Sequence, residues 1–232
     1  MPRRARPIVA IDGPAGAGKS TVARLLSEAL GFPLVDTGAM YRVVAHAARR
    51  VGVDWSDEPA VGELARALVA RHALAFDQDP RNGVRVRVDG EDVTQAIRTA
   101  EAGMGASTVS AYRQVRDALL DLQRQAGGSG GVVLEGRDIG TVVFPDAEVK
   151  FFLTARPEVR ARRRFDELSA KGARVTYEET LRDVRQRDDQ DTRRALAPLR
   201  QAPDATVIDN SDASIDETVR TMIEHIRGVS RA

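Results

Sequence analysis

The segment Gly13-Pro14-Ala15-Gly16-Ala17-Gly18-Lys19-Ser20 fits the pattern G-x-x-x-x-G-K-[ST] without a gap. Its glycines let successive backbone N–H groups turn inward around phosphate oxygens, and a helix starting there adds the positive end of its dipole. In such a loop the lysine, here Lys19, reaches the β- and γ-phosphates of a nucleoside triphosphate, and the Ser20 hydroxyl ligates Mg²⁺. The pattern specifies a triphosphate donor and leaves the reaction open.

Other groupings contain side chains that could meet that donor. Asp36-Thr37-Gly38-Ala39-Met40-Tyr41-Arg42 follows a short apolar run. Thr37 fits two roles there, the cap of the next helix or a ligand. Arg42 falls in the first turn of that helix, where a cation is unfavourable, and a bound anion would explain it. Glu135-Gly136-Arg137-Asp138 follows another apolar run. A carboxylate at the end of such a strand is where a protein with this loop holds its metal shell. Arg137 and Asp138 also fit a plain surface pair. The stretch from Arg187 to Arg194 packs three carboxylates and three guanidinium groups into eight residues, a pattern that a solvated helix end shares. Arg156, Arg160, Arg162, Arg163 and Arg164 set like charges at helical spacings, which repel by a few tenths of a kcal/mol per pair unless something anionic neutralises them. A nucleotide phosphate is the natural candidate.

Composition limits what else the chain can be. Lysine occurs only at Lys19, Lys150 and Lys171, so 32 of the 35 basic residues are arginine. Arginine offers a planar fork suited to phosphate and carboxylate, whereas lysine is a compact point charge. Compositional bias accounts for most of these arginines, and position has to pick out the ligands. The formal net charge of +1 gives no uniform field for nucleic acid or a membrane surface, and aromatics at 4% disfavour stacking on bases. With no cysteine there is no disulfide framework, thiolate zinc site or cysteine nucleophile. No apolar run approaches the roughly 18 residues of a membrane span. The basic start is followed only by the short run Pro7 to Ile11, so it is not a signal peptide; a cytoplasmic location and a solvated, frayed end at Arg3, Arg4 and Arg6 are expected. A guanine-nucleotide switch would need an Asn-Lys-x-Asp segment, and asparagine occurs only at Asn82 and Asn210.

The elements that must position these groups alternate between two periods. Ile8 to Ile11 is a buried-strand run that ends at Asp12-Gly13-Pro14. Val22, Leu25, Leu26, Ala29 and Leu30 then form one helical face, with Gly31 where a C-cap is wanted. Strands are also predicted at Phe32 to Val35, Val132 to Leu134, Val149 to Leu153 and Thr206 to Ile208. Helices are predicted over Ala102 to Gln125, Pro157 to Ala170, Tyr177 to Asp188 and Ile215 to Arg227. Strands alternating with helices imply an α/β fold with a parallel sheet covered on both faces. From His72 to Val93 the pattern changes. Val84, Val86 and Val88 alternate with Arg85 and Arg87 between a turn over residues 77–83 and a hairpin signal at Asp89-Gly90, which gives a small antiparallel unit inserted in the core. Gly127 to Gly131 reads as a flexible connector.

Taken together, Gly13 to Thr21, residues 36–42, Ile97-Arg98-Thr99, the block Gly136-Arg137-Asp138-Ile139-Gly140-Thr141-Val142-Val143-Phe144-Pro145-Asp146-Ala147, Arg187-Asp188-Asp189 and Ala197-Pro198-Leu199 resemble the bacterial cytidylate kinases. The resemblance runs in order from about Ile8 to Ile226. The Gly-Arg-Asp-Ile-Gly-Thr and Arg-Asp-Asp blocks are much more specific than the phosphate loop.

The resemblance implies a P-loop fold with a central five-stranded parallel sheet, an antiparallel insert and a helical lid. It implies one kinase domain over 1–232, with a core of 7–60, 100–155 and 173–228, a monophosphate-binding insert at about 61–99 and a lid at about 156–172. The activity implied is transfer of phosphoryl from ATP to CMP or dCMP with Mg²⁺, by a monomer that binds neither nucleic acid nor membrane. ATP would lie on Gly13, Pro14, Ala15, Gly16, Ala17, Gly18, Lys19, Ser20, Thr21 and Arg160, with Ser20 the metal ligand. Thr37, Arg116 and Asp138 would read the cytosine edge, where the family often has serine at the position of Thr37. Arg42, Arg137 and Arg194 would hold the acceptor phosphate, Arg187 and Asp191 its sugar, and Ser107 and Tyr41 complete the CMP site. Lys19, Arg137, Arg187 and Arg194 would carry the catalysis. Glu135 stands where the family usually has an acidic residue, often aspartate. Another P-loop kinase acting on UMP, AMP or shikimate is the nearest alternative, and a non-kinase nucleotide switch a more distant one.

Overall fold

The computed structural model describes residues 4–79, 83–170 and 172–231. Its centre is strand β1, Ile8–Asp12, in which all five residues are buried. Such a strand needs apolar side chains on both faces, and Ile8, Val9, Ala10 and Ile11 supply them. Around it runs a five-stranded parallel sheet in the order β2-β6-β1-β7-β8, with β2 at Leu34–Asp36, β6 at Val132–Gly136, β7 at Val149–Thr154 and β8 at Thr206–Asp209. The chain leaves β1 for β2 on one side and returns to β7 on the other. A topology of this kind opens a crevice beyond the carboxyl ends of the strands, where ligands bind.

Helices cover both faces. Helix α1, Lys19–Leu30, buries Val22, Ala23 and Leu26, and Gly31 closes it in the left-handed conformation, as the spacing predicts. Helix α2, Thr37–Arg50, is buried along most of its length, and helix α3, Glu58–Ala70, packs on it. The helical stretch expected from Ala102 to Gln125 is two helices, α4 at Ala100–Val109 and α5 at Arg113–Gly127. The chain turns between them at Ser110–Tyr112, and the apolar spacing alone does not mark that break. Gly127 therefore belongs to α5 rather than to a flexible connector. Helices α6, Pro157–Ala170, and α7, Tyr177–Arg193, pack on each other, and α8, Ile215–Arg231, closes the chain. Because α7 runs past Asp188, most of the charged stretch from Arg187 lies on a helix face and Arg194 is its C-cap.

The expected insert is present as a three-stranded antiparallel sheet, β3 at Leu74–Asp79, β4 at Gly83–Val88 and β5 at Glu91–Asp92. Val84, Val86 and Val88 point inward while Arg85 and Arg87 are exposed. Asp77 to Asp79 are strand rather than turn, and residues 80–82 of the expected turn lie outside the described residues. The insert also finishes the edge of the main sheet. The Gln78 side chain accepts from Leu34 N–H at 2.9 Å and donates to Leu34 C=O at 2.8 Å. Exposed strand edges are sites of mispairing, and one amide side chain caps this one.

The start of the chain is not the frayed end that its charge implies. Arg4 pairs with Asp146 at 2.6 Å and with Glu148 at 3.0 Å, and the Arg6 guanidinium lies 4.6 Å from the Phe32 ring centroid. Arg3 lies outside the described residues. Among the described residues no helix is long and apolar enough to cross a membrane.

Candidate active site

The phosphate loop joins β1 to α1. At Gly13 (φ +149°) a Cβ would lie 2.0 Å from the Leu153 carbonyl oxygen, and at Gly16 (φ +77°) it would meet Arg160, so glycine is required at both. Lys19 is 6% exposed, and its ammonium donates to Pro14 C=O at 2.8 Å, inside the loop. Burial pushes the Lys19 ammonium well below its usual range; Arg137 adds to this, and Glu135 opposes it. The Ser20 hydroxyl donates to the Glu135 carboxylate at 3.0 Å. Glu135 is buried at the end of β6 and is pushed up to about 7, first by burial and then by Asp36.

The groups that follow β2 and β6 face this loop. Thr37 is not the helix cap. Asp36 caps α2 by accepting from Ala39 N–H at 2.9 Å, which leaves the buried Thr37 hydroxyl to donate to Glu135 C=O at 2.8 Å. Asp36 also pairs with Arg42 at 2.6 Å. Arg42 stands in the second turn of α2, so the helix dipole is no reason to require an anion there. Its Nε is nevertheless buried without a hydrogen-bond partner.

Asp138 is buried, with one carboxylate oxygen bonded to Arg116 and the other 3.8 Å from Arg194. It is not the surface pair that its neighbour Arg137 permits. The Arg116 guanidinium lies 5.7 Å from the centre of the Tyr41 ring, and the Tyr41 hydroxyl bonds Gln123. Arg137 turns away and donates through Nε to Asp191 at 2.8 Å. Burial alone would raise Asp191, but Arg137, Arg187 and Arg194 hold it below the usual carboxylate range. Arg187 is lowered to about 10, first by burial and then by the like charges of Arg137 and Arg42. Ser107, half-buried on α4, reaches Gln190 of α7 at 3.4 Å.

These residues form one connected cluster of five guanidinium groups, at Arg42, Arg116, Arg137, Arg187 and Arg194, with the carboxylates of Asp36, Asp138 and Asp191 among them. Three buried donors in it, Arg42 Nε, Arg187 Nε and Arg194 Nη2, have no hydrogen-bond partner. A buried charged donor left unpaired costs about 1–3 kcal/mol or more. Oxygens of a bound ligand would satisfy them.

The arginines of α6 differ from the sequence expectation. Arg156 pairs with Asp212 at 2.6 Å, Arg164 with Glu167 at 2.9 Å, and Arg163 donates to the Asn210 carbonyl at 2.8 Å. Arg160 is 3% exposed and grips Asp188 through two bonds of 2.9 and 2.6 Å while also donating to Ala15 C=O in the phosphate loop. Protein groups thus relieve most of the expected repulsion without a nucleotide. The roles of Asp188 and Asn210 have no signature in the sequence, because each depends on a partner brought in by the fold. Asn210 is fully buried and donates to Ala17 C=O at 3.0 Å.

The oxygen donors Ser20 and Glu135 suit a hard cation such as Mg²⁺, which takes few protein ligands and completes its shell with water and phosphate. Among the described residues no group of three or more His, Cys, Asp or Glu is placed to hold a metal ion by itself.

The family model described as cytidylate kinase matches residues 9–228. The cytidylate kinase of Citrifermentans bemidjiense is 53% identical over 215 residues, covering 93% of this chain and 90% of the relative. That of Pseudomonas paraeruginosa is 50% identical over 219 residues and 94% of each chain. Among solved structures, an uncharacterised protein from Eubacterium ventriosum matches with a TM-score of 0.51 at 12% identity, covering 96% of this chain and 99% of that one, which supports the fold alone. With a family model spanning nearly its whole length and relatives at 50–53% identity, the chain belongs to the cytidylate kinase family.

Proposed function

We propose that this protein transfers the γ-phosphoryl group of ATP to CMP or dCMP, giving ADP and CDP or dCDP. The observation that carries the reading is the guanidinium cluster with buried donors left without a hydrogen bond, Arg42 Nε, Arg187 Nε and Arg194 Nη2, in which Arg187 and Arg137 lie within electrostatic reach of Lys19 in the phosphate loop. Such a site wants two phosphates, one on the loop and one on the arginines.

The acceptor phosphate is already ionised at neutral pH, so the reaction needs alignment and charge neutralisation rather than a strong base. Residues Gly13 to Thr21 wrap the donor phosphates, and Lys19 exchanges its bond to Pro14 C=O for phosphate oxygens. Ser20, with Glu135 behind it, would hold Mg²⁺, whose charge would offset that of the donor phosphates. Arg42, Arg137 and Arg194 hold the acceptor phosphate. Arg187 and Asp191 hold the sugar, with Ser107 nearby. Asp138 accepts from the cytosine 4-amino group, with Thr37 and Arg116 beside it, and Tyr41 acts through Arg116. Uracil has a carbonyl where cytosine has that amino group, so it would face a buried carboxylate without a donor.

Arg160 serves the donor side from α6, and α6 with the following turn forms a lid at about 156–172 that excludes water on closure. The insert at about 61–99 belongs to the monophosphate-binding region. The reading includes a cytoplasmic monomer. Its test is a coupled assay of ADP formation with CMP, dCMP, UMP, AMP and shikimate as acceptors. The expected result is turnover highest with a cytidine monophosphate, and a higher rate with AMP or shikimate would replace the reading with the alternative kinase.

A further inference from the structure

Asp12 is a buried carboxylate beside both nucleotide sites that the transfer chemistry leaves unused. It is the last residue of β1 and is 4% exposed. One of its oxygens accepts from Ile139 N–H and the other from Gly140 N–H, each at 2.8 Å. These two N–H groups open a wide π-helical turn, Ile139–Val143, whose internal bonds begin later. Val142 and Val143 N–H donate to Asp138 C=O, and Phe144 N–H donates to Ile139 C=O. The first N–H groups of a helical turn have no partner within it, and buried N–H groups are almost always paired. Asp12 supplies the partners that the 136–143 segment cannot supply for itself.

The two ends of this clamp differ in what else holds them. Asp12 and Gly13 are fixed independently. β1 is paired with β6 on one side and β7 on the other, and Gly13 is pressed onto the Leu153 carbonyl. The segment at residues 138–140 has no neighbouring strand of its own. Asp138 immediately precedes the clamped pair and sits at an irregular turn of the backbone (φ −147°, ψ 26°) with its side chain between Arg116 and Arg194.

We propose that Asp12 is a positioning residue for acceptor recognition: its carboxylate fixes Ile139 and Gly140 against the phosphate loop and thereby sets where Asp138 meets the acceptor base. The inference rests on the cytidylate reading of Asp138 and deepens it. A carboxylate is required because both positions must accept. Asparagine offers one acceptor and turns a donor toward the other N–H. Loosening the clamp displaces Asp138 and Arg137 and leaves the phosphate loop in place.

The test is Asp12→Asn, with steady-state kinetics for CMP and UMP at saturating ATP and for ATP at saturating CMP. A displacement near 1 Å in a positioning shell costs up to about 100-fold in rate. The expected result is a fall of about 10- to 100-fold in kcat/KM for CMP, a roughly tenfold loss of preference for CMP over UMP, and a KM for ATP within about twofold of wild type. A purely structural role would lower Tm and affect both substrates alike, with the CMP preference kept, and that result in a folded variant overturns the proposal. If Asp12→Asn does not fold, Asp12→Glu decides. It keeps both acceptor oxygens but carries them one methylene further from β1, so Ile139 and Gly140 are held at a different place and the same loss of preference is expected. An unchanged preference there likewise refutes the clamp. Absence of CMP turnover by the wild-type protein refutes the cytidylate reading and the clamp with it, whereas wild-type turnover with unchanged variant preference refutes the clamp alone.

Discussion

Replacing Asp138 by asparagine keeps the shape of the side chain and removes its charge. In the wild-type protein the carboxylate is buried, bonded to Arg116 and beside Arg194. Cytosine presents an amino donor at position 4 and uracil a carbonyl, so CMP adds a donor to the carboxylate and UMP sets an oxygen against it. A site built this way separates the two by up to about 10⁴-fold or more. The amide of the variant turns either its oxygen or its nitrogen toward the base, so the penalty on uracil goes and the charge-assisted bond to cytosine weakens. A hydrogen bond to a charged group contributes about 1.5–3 kcal/mol, equivalent to roughly 10- to 150-fold. The ratio of kcat/KM for CMP to that for UMP should therefore fall by about 10- to 150-fold in Asp138→Asn, while the KM for ATP stays within about twofold. The assay is coupled ADP formation with each acceptor, with Tm recorded because Arg116 and Arg194 lose a buried partner, which costs stability. An unchanged CMP to UMP ratio in the folded variant, or an equal loss for ATP and CMP, refutes the assignment of base reading to Asp138.

Further perturbations separate donor, acceptor and scaffold. Lys19→Met should abolish transfer and leave the fold intact, because a buried lysine whose ammonium is already destabilised by burial loses little by becoming apolar; normal turnover would remove Lys19 from the reaction. Arg187→Ala should lower kcat/KM for CMP by about 100-fold or more, read by the same ADP assay, and an unchanged value takes it out of the site. Asp188→Asn weakens the grip on Arg160, so the KM for ATP should rise more than that for CMP, and the reverse order would contradict a donor role for Arg160. Asp12 is raised from 3.8 to about 6 by burial, its two backbone N–H partners opposing that rise. A raised acid holds its proton more tightly when folded. Its stabilising contribution is full below pH 3.8, about 3 kcal/mol at most, and is lost as pH rises through about 6. Urea unfolding should therefore show the stability of wild type relative to Asp12→Asn falling between about pH 4 and about pH 7, and a rise over that range contradicts the sign.

The parts legible in the sequence are those set by local pattern. The phosphate loop, its strand and its helix follow from glycine spacing and a 3.6-residue apolar period, and the insert follows from Val84, Val86 and Val88 alternating with arginine. The break between α4 and α5 carries no proline or glycine, so periodicity runs through it. Side-chain pairing was the least legible. Arg42 stands beside Asp36, which lies six positions earlier and also caps α2. The α6 arginines take partners from α7 and from the 209–212 turn, elements that only the tertiary fold brings near. Arg160 is the sharpest case, since its fork is closed on Asp188 and the phosphate loop carbonyl of Ala15. The excess of arginine over lysine signalled none of this. Within the cluster, Arg42, Arg187 and Arg194 each keep one buried N–H donor without a hydrogen-bond partner, a feature that no local pattern marks.

The central claim is that two phosphates meet in one cleft and exchange a phosphoryl group. Phosphorus NMR of the wild-type protein with ATP, Mg²⁺ and CMP, followed by anion-exchange separation of CDP from ADP, reads this out, because the monophosphate, the diphosphates and inorganic phosphate give separate signals. CDP and ADP should form in equal amounts with no inorganic phosphate, and neither product with Lys19→Met. ADP accumulating with inorganic phosphate and without CDP would show a nucleotide hydrolase or switch, and would contradict the account.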